Sequence, residues 1–215
     1  MNFDQIYPVE ELKSKFACPV NFKFYGIEKI NEIANLEPEC LFEIGANAWM
    51  HFIEAGGKIN PQKLAEHFDS HNPFLFAVVE KTIKRKVLQN IVLIHAEVDD
   101  QNLERKFCGK LLLARTYPNN LHISDVEFSN PYKPVGISEK RYRYHEYRSL
   151  GLFSVLLKNI TDLAEEWRIS KITLSAASLD QVNYFKGHGF NIENTSFARG
   201  AVEANESIPM ELICA

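Results

Sequence analysis

The 215-residue sequence lacks the features that define several protein classes. It has only four cysteines, Cys18, Cys40, Cys108 and Cys214, and no CxxC pair. That spacing fits neither a disulfide framework nor a zinc knuckle, so buried free thiols are expected. Long apolar runs are missing as well. Stretches such as Phe74 to Val79 and Leu111 to Ala114 fall far short of the roughly 20 residues that a bilayer-spanning helix needs. Positive charge is not in excess: 24 Lys+Arg against 28 Asp+Glu gives a net charge of −4. The surface as a whole is therefore not built for nucleic acid, and any phosphate site must be local. The opening MNFDQIYPVEELK carries acids where a signal peptide has a basic start and an apolar core. A cytoplasmic protein is expected.

What is present describes an ordinary globular chain, 46% hydrophobic and 24% charged. Its length suits one large domain with at most an extension. We expect a peripheral N-terminal extension over 1–19 and a single domain over 20–215. Val20, Phe22 and Phe24 alternate as in a strand. Ile27, Ile30, Ile33 and Ala34 then take up helical spacing in a segment reaching to Met50 that Pro38 should divide. Asn60-Pro61 marks a further helix start, with a stop before Pro73.

From Phe74 the pattern reads as β: FLFAVVE, NIVLIHAEV, CGKLLLARTY and LHISDVEF, an expected antiparallel meander. Residues 130–147 have two prolines and no clear period, and read as a long loop. Leu152, Val155, Leu156, Ile160, Leu163 and Trp167 follow at steps of three and four and form the strongest amphipathic helix of the chain. A strand KITLSA, a short helix from Leu179 to Lys186 ending in GHGF, and a strand alternating Ile208, Met210, Leu212 and Cys214 complete the sequence. The expected fold class is α/β: one mixed, mostly antiparallel sheet flanked by helices.

Chemistry is suggested where the strong helix begins. Arg148-Ser-Leu-Gly151-Leu-Phe-Ser154 places a cation and a glycine at a helix N-terminus. Such a terminus offers unpaired N–H groups and about half a positive charge, arginine adds planar donors, and glycine allows close approach to the backbone. An anion such as a phosphate is the natural ligand.

The run from Tyr147 to Phe190, YRSLGLFSVLLKNITDLAEEWRISKITLSAASLDQVNYFKGHGF, resembles the acyl-CoA-binding half of the GNAT superfamily of N-acetyltransferases. There a strand leads into an R/Q-x-x-G-x-G/A helix start, followed by a helix, a strand and a short helix ending in a Y-x-x-x-G-F type motif. The resemblance implies that acetyl-CoA is the acyl donor, that no metal takes part, and that the backbone of Ser149, Leu150, Gly151, Leu152, Phe153 and Ser154 holds the pyrophosphate, with Arg148 a further coenzyme contact. It implies main-chain hydrogen bonds from Glu127 and Phe128 to the pantetheine and thioester. Two further expected coenzyme contacts depart from the family pattern: Ser178 stands for the frequent asparagine and Phe185 for the acidic tyrosine. Phe153 replaces the last small residue of the helix-start motif and narrows the space for the phosphate.

Transfer to a primary amine by direct attack needs a base and a group to meet the departing thiolate. Glu127 is the expected base and Tyr184 the nearest acid, with His122 and Asp125 on the same strand as alternatives. The amine-bearing acceptor carries no motif, no membrane partner is expected, and a homodimer is left open. Two other readings stay open: an acyl-CoA sensor or longer-chain acyltransferase on a GNAT fold, and an RNA or single-stranded DNA module using the basic aromatic segment 140–148. Next to the phosphate motif, that segment reads better as a lid over the coenzyme or acceptor. His67 and His71 have helical metal spacing but no HExxH glutamate, and no GxSxG elbow occurs.

Overall fold

The computed structural model describes residues 5–58, 60, 62–140 and 145–214. Helix α1 (Val9–Lys13) precedes strand β1 (Val20–Gly26). Four helices follow: α2 (Ile30–Leu36), α3 (Pro38–Glu54), α4 (Gln62–Asp69) and α5 (Leu75–Ile83). Pro38 divides α2 from α3 as expected and occupies the first turn of α3, where its missing N–H costs nothing. Asn60 Oδ1 accepts from Gln62 N at the start of α4; Pro61 lies outside the described residues.

The meander comprises β2 (Leu88–Val98), β3 (Phe107–Thr116) and β4 (Asn120–Pro134). Then come β5 (Tyr147–Ser149), α6 (Phe153–Glu166), β6 (Lys171–Ala176), α7 (Leu179–Lys186), β7 (Asn191–Ile192), α8 (Ser196–Ala204) and β8 (Ile208–Ile213). The sheet runs β1-β2-β3-β4-β6-β8-β7, with β5 against β4. Every pairing is antiparallel except β4 with β6, which α6 connects as a crossover.

The central strands are buried on both faces, which explains their continuous apolar runs. Leu111 and Leu113 join one core with Leu156, Ile160 and Ala164 of α6. Leu112 and Ala114, pointing the other way, join a second core with Leu41, Ile44 and Ala48 of α3 and Leu75 and Val79 of α5. The helices α3 and α5 touch closely at Gly45, where a Cβ would lie 2.5 Å from Phe76 N and 2.8 Å from Leu75 C.

Four expectations are corrected. FLFAVVE is not a strand but helix α5, started by Asn72 Oδ1 accepting from Phe74 N; its unbroken apolar run suits a buried helix as well as a strand. The opening residues are not peripheral: Ile6, Tyr7 and Leu12 are buried in the first core, and Asn159 Nδ2 donates to Ile6 O. The supposed loop begins later, because β4 continues to Pro134 and Tyr147–Ser149 returns as β5. Finally, α8 and β7 lie between α7 and β8, with Thr195 Oγ1 accepting from Ala198 N at the start of α8.

Candidate active site

A cleft of about 790 Å3 opens where β4 and β6 separate. The two strands pair in parallel only from Asn120 with Lys171 to Ile123 with Leu174. Beyond that point β4 carries a bulge, since Ile123 faces Leu113 and Asp125 faces Leu112 while Ser124 has no partner on β3. Leu150 N donates to Phe128 O at 3.0 Å, so the Phe128 main chain is turned away from β3. Main-chain groups on a strand alternate in direction. Val126 therefore shares this side with Phe128, while Glu127 turns its backbone toward Lys110 of β3. The outward main chain here belongs to Val126 and Phe128 rather than to Glu127, and Phe128 O is already taken by Leu150 N.

Of the expected site residues, Glu127, Phe128, Ser149, Phe153, Tyr184 and Phe185 line the cleft. Arg148, Leu150, Gly151, Leu152, Ser154 and Ser178 do not. Arg148 and Ser149 belong to β5 rather than to the helix, which begins at Phe153. Gly151 has φ +70° with open space where a Cβ would stand, a left-handed conformation that glycine adopts without strain. The preceding residue of α6, Leu152, supplies no capping side chain. The first-turn N–H groups of α6 thus have no side-chain partner at the cap and can receive an anion. Arg148 donates to both carboxylate oxygens of Glu139 at 3.1 Å in an exposed pair, which is easily exchanged for another anion.

Phe153 does not crowd this helix start. Its ring is buried and packs against Tyr184 at 5.7 Å, Phe185 at 5.6 Å and His188 at 4.9 Å, so it walls the cleft from the side. Phe185 also packs against Phe190 of the core, whereas Tyr184 is half exposed. Ser178 precedes α7 and offers no capping hydrogen bond.

The opposite wall is charged. Arg105 donates to Glu127 at 3.2 Å and to Glu146 at 2.7 Å, with its guanidinium over the Tyr147 and Phe107 rings. Lys110 lies 2.5 Å from Asp125 and 3.0 Å from Glu37, and these two acids with Cys40 form a compact group of candidate ligand atoms. The lysine ammonium already pairs with both acids; burial alone would lower its pKa, but the two carboxylates raise it. Burial pushes the Cys40 thiol up to about 12.

At the point of separation, Glu43 of α3 accepts from Ser175 Oγ at 2.5 Å and from Ser124 Oγ at 3.2 Å. His122 Nε2 lies 3.8 Å from the same carboxylate, and His122 Nδ1 meets Thr173 Oγ1 at 2.9 Å. Burial alone would raise the Glu43 pKa, but His122 and the two serines together hold it below the ordinary carboxylate range. Sequence reasoning missed Arg105, Lys110, Ser124, Ser175 and Glu43. No local pattern marks them, because they converge only through the sheet. Of the basic aromatic segment, residues 141–144 lie outside the described residues, and His145 and Tyr147 line the cleft.

Neither a family model nor a curated protein matches the sequence. Among solved structures, nourseothricin acetyltransferase is similar at 15% identity and TM-score 0.35, over 58% of this chain and 66% of that one. The chain spans less than two thirds of that structure's length. A GNAT-family acetyltransferase of Staphylococcus aureus Mu50 matches at 15% identity and TM-score 0.40, over 92% of this chain and 100% of the other. An acetyltransferase of Streptococcus agalactiae 2603 matches at 15% and 0.36, over 92% and 99%. At TM-scores of 0.40 or less these likenesses carry no functional argument. The strand, Arg-x-x-Gly turn, helix, strand and short helix nevertheless stand in the order that the resemblance to GNAT enzymes implies.

Proposed function

We propose that the protein is a GNAT-type N-acetyltransferase that moves the acetyl group of acetyl-CoA to a primary amine. One observation carries this reading: the cleft between β4 and β6 runs from Phe153, the first residue of α6, along β4 past Val126, where β4 is paired with neither β6 nor β5. An elongated ligand with an anionic end and amide groups along its length matches both. The pyrophosphate would lie against Ser149 to Ser154, with Arg148 exchanging Glu139 for phosphate oxygens. The pantetheine amides would pair with Val126 and Phe128 as an added strand does, bringing the thioester to the point of separation.

The acceptor enters from the charged wall, and its nitrogen attacks the carbonyl carbon. Tyr184, which lines the cleft, would donate a proton to the departing thiolate. Glu127 is held in an ion pair with Arg105, which must be broken before its carboxylate takes a proton; it is better suited to hold the acceptor through the Arg105–Glu146 network. The test is thiol release from acetyl-CoA in the presence of a lysine peptide, spermidine and kanamycin. Amine-dependent release supports the reading. Coenzyme binding without release points to the acyl-CoA sensor instead.

A further inference from the structure

We infer that Glu43 is the acceptor-side base, with His122 as the group behind it that receives the proton. The inference rests on the acetyltransferase reading above. Three features of the structure lead to it.

The first is position. Glu43 comes from α3, remote in sequence from both strands, yet its carboxylate joins the bulged Ser124 of β4 to Ser175 of β6. Both serines line the cleft at the place where the strands part. No other carboxylate among the described residues is hydrogen-bonded to both strands there. The Glu43 side chain is 26% exposed and stands behind the cleft-lining Ser124 and Ser175, between which a substrate nitrogen would reach it.

The second is freedom from a fixed cation. Glu127 is paired with Arg105, and Asp125 with Lys110. The partners of Glu43 are two hydroxyls and an imidazole, none of which bears a permanent charge. An incoming amine nitrogen therefore meets a carboxylate held by two hydroxyls and an imidazole rather than by a lysine or arginine.

The third is a route for the proton. His122 is buried, with its side chain 4% exposed, and its Nε2 has no hydrogen-bond partner among the described residues while facing Glu43 at 3.8 Å. Behind it lies a cavity of about 10 Å3 lined by His51, His122, Thr173 and Glu193, close to the size of a single water. His51 Nδ1 is buried there without a hydrogen-bond partner among the described residues, and His51 Nε2 contacts Glu193, which Lys171 also contacts. The charged and titratable groups around the pair are thus Cys40, which interacts with Glu43, and His51 and Glu193, which share the cavity with His122, with Lys171 in contact with Glu193.

The step balances without a further reactant. The nitrogen lone pair forms the C–N bond as the carbonyl electrons move onto oxygen. A nitrogen proton passes to Glu43 and on to His122. The oxyanion collapses, the C–S bond breaks, and the thiolate takes a proton from Tyr184 or water. Glu43 touches the reacting nitrogen, whereas His122 is a positioning and relay residue.

The test uses the full chain, acetyl-CoA and the three amines named above. Glu43→Gln keeps the shape and one acceptor oxygen; kcat should fall about 100-fold or more, with the KM for acetyl-CoA and the thermal stabilisation by acetyl-CoA unchanged. His122→Gln should lower kcat about tenfold with the KM for acetyl-CoA unchanged, a split that a packing role would not produce. A Glu43→Gln enzyme within threefold of wild-type kcat overturns the inference alone, as does loss of acetyl-CoA stabilisation in that variant. No amine-dependent turnover by the wild type overturns the acetyltransferase reading and this inference with it.

Discussion

At the scale of single residues, the anion-binding turn depends on a backbone conformation more than on a side chain. Gly151 stands at φ +70° with open space around the missing Cβ. Alanine there meets no neighbour but must adopt a left-handed conformation, which costs about 1 kcal/mol. Gly151→Ala should therefore lower the melting temperature by roughly 2–4 °C in a chain of this size and weaken acetyl-CoA binding as well. Arg148→Ala separates the two effects. It removes only an exposed ion pair with Glu139, so calorimetry should show an unchanged melting temperature while titration shows weaker coenzyme binding. Coenzyme affinity equal to that of the wild type in both variants would remove the pyrophosphate assignment.

The Arg148 to Ser154 motif could be read from the sequence because all its parts lie within seven residues and next to the strongest helical period of the chain. Glu43 could not. Its contacts with Ser124 and Ser175 span 81 and 132 positions, and a lone glutamate within a helix carries no local sign of its role.

At the scale of elements, legibility followed periodicity. Strands β2 to β4, α6, β6 and α7 stand where the alternations and three-four spacings put them. FLFAVVE failed because a continuous apolar run has no period, so helix and strand are equally consistent with it until length and neighbours decide. In the fold it is α5, covering the sheet opposite α6. The contact between α3 and α5 is tight enough that a methyl group matters. Gly45→Ala raises helix propensity by about 0.5–1 kcal/mol, yet its Cβ would meet the α5 backbone at 2.5 and 2.8 Å. Overpacking of this kind costs about 1–3 kcal/mol. The variant should unfold at lower temperature than the wild type despite the better helix former, and an increase in stability would show that α5 moves freely.

At the scale of the whole molecule, two cores on either side of one sheet leave the parting of β4 and β6 as the place where the interior opens. The mixed, mostly antiparallel sheet and its antiparallel meander were legible from the succession of elements, whereas the strand order and the parallel β4–β6 pairing come from the structure. The cleft's charged wall was not legible either, since it is assembled from β3, β4, α3 and the segment after β2. The same convergence produces a pH response. Burial would raise the Glu193 pKa, but the hydrogen bond with His51 and the charge of Lys171 hold it below the ordinary range. A carboxylate depressed in the folded state contributes stability that is fully present above its unfolded pKa of about 4.3 and is lost as pH falls through the folded value. The melting temperature should thus decline as pH falls below about 4.3, and Glu193→Gln should flatten part of that decline while being less stable than wild type near neutrality.

The central claim is that the cleft holds acetyl-CoA, and thermal unfolding with and without it tests this most directly, with ATP and NAD as phosphate-bearing controls. A ligand at 100 times its dissociation constant adds about 2.7 kcal/mol, equivalent to a rise of roughly 5–11 °C for a chain of this size. The account predicts such a rise with acetyl-CoA and none of that size with ATP or NAD. An unchanged melting temperature with acetyl-CoA, or the same rise with all three, would contradict it.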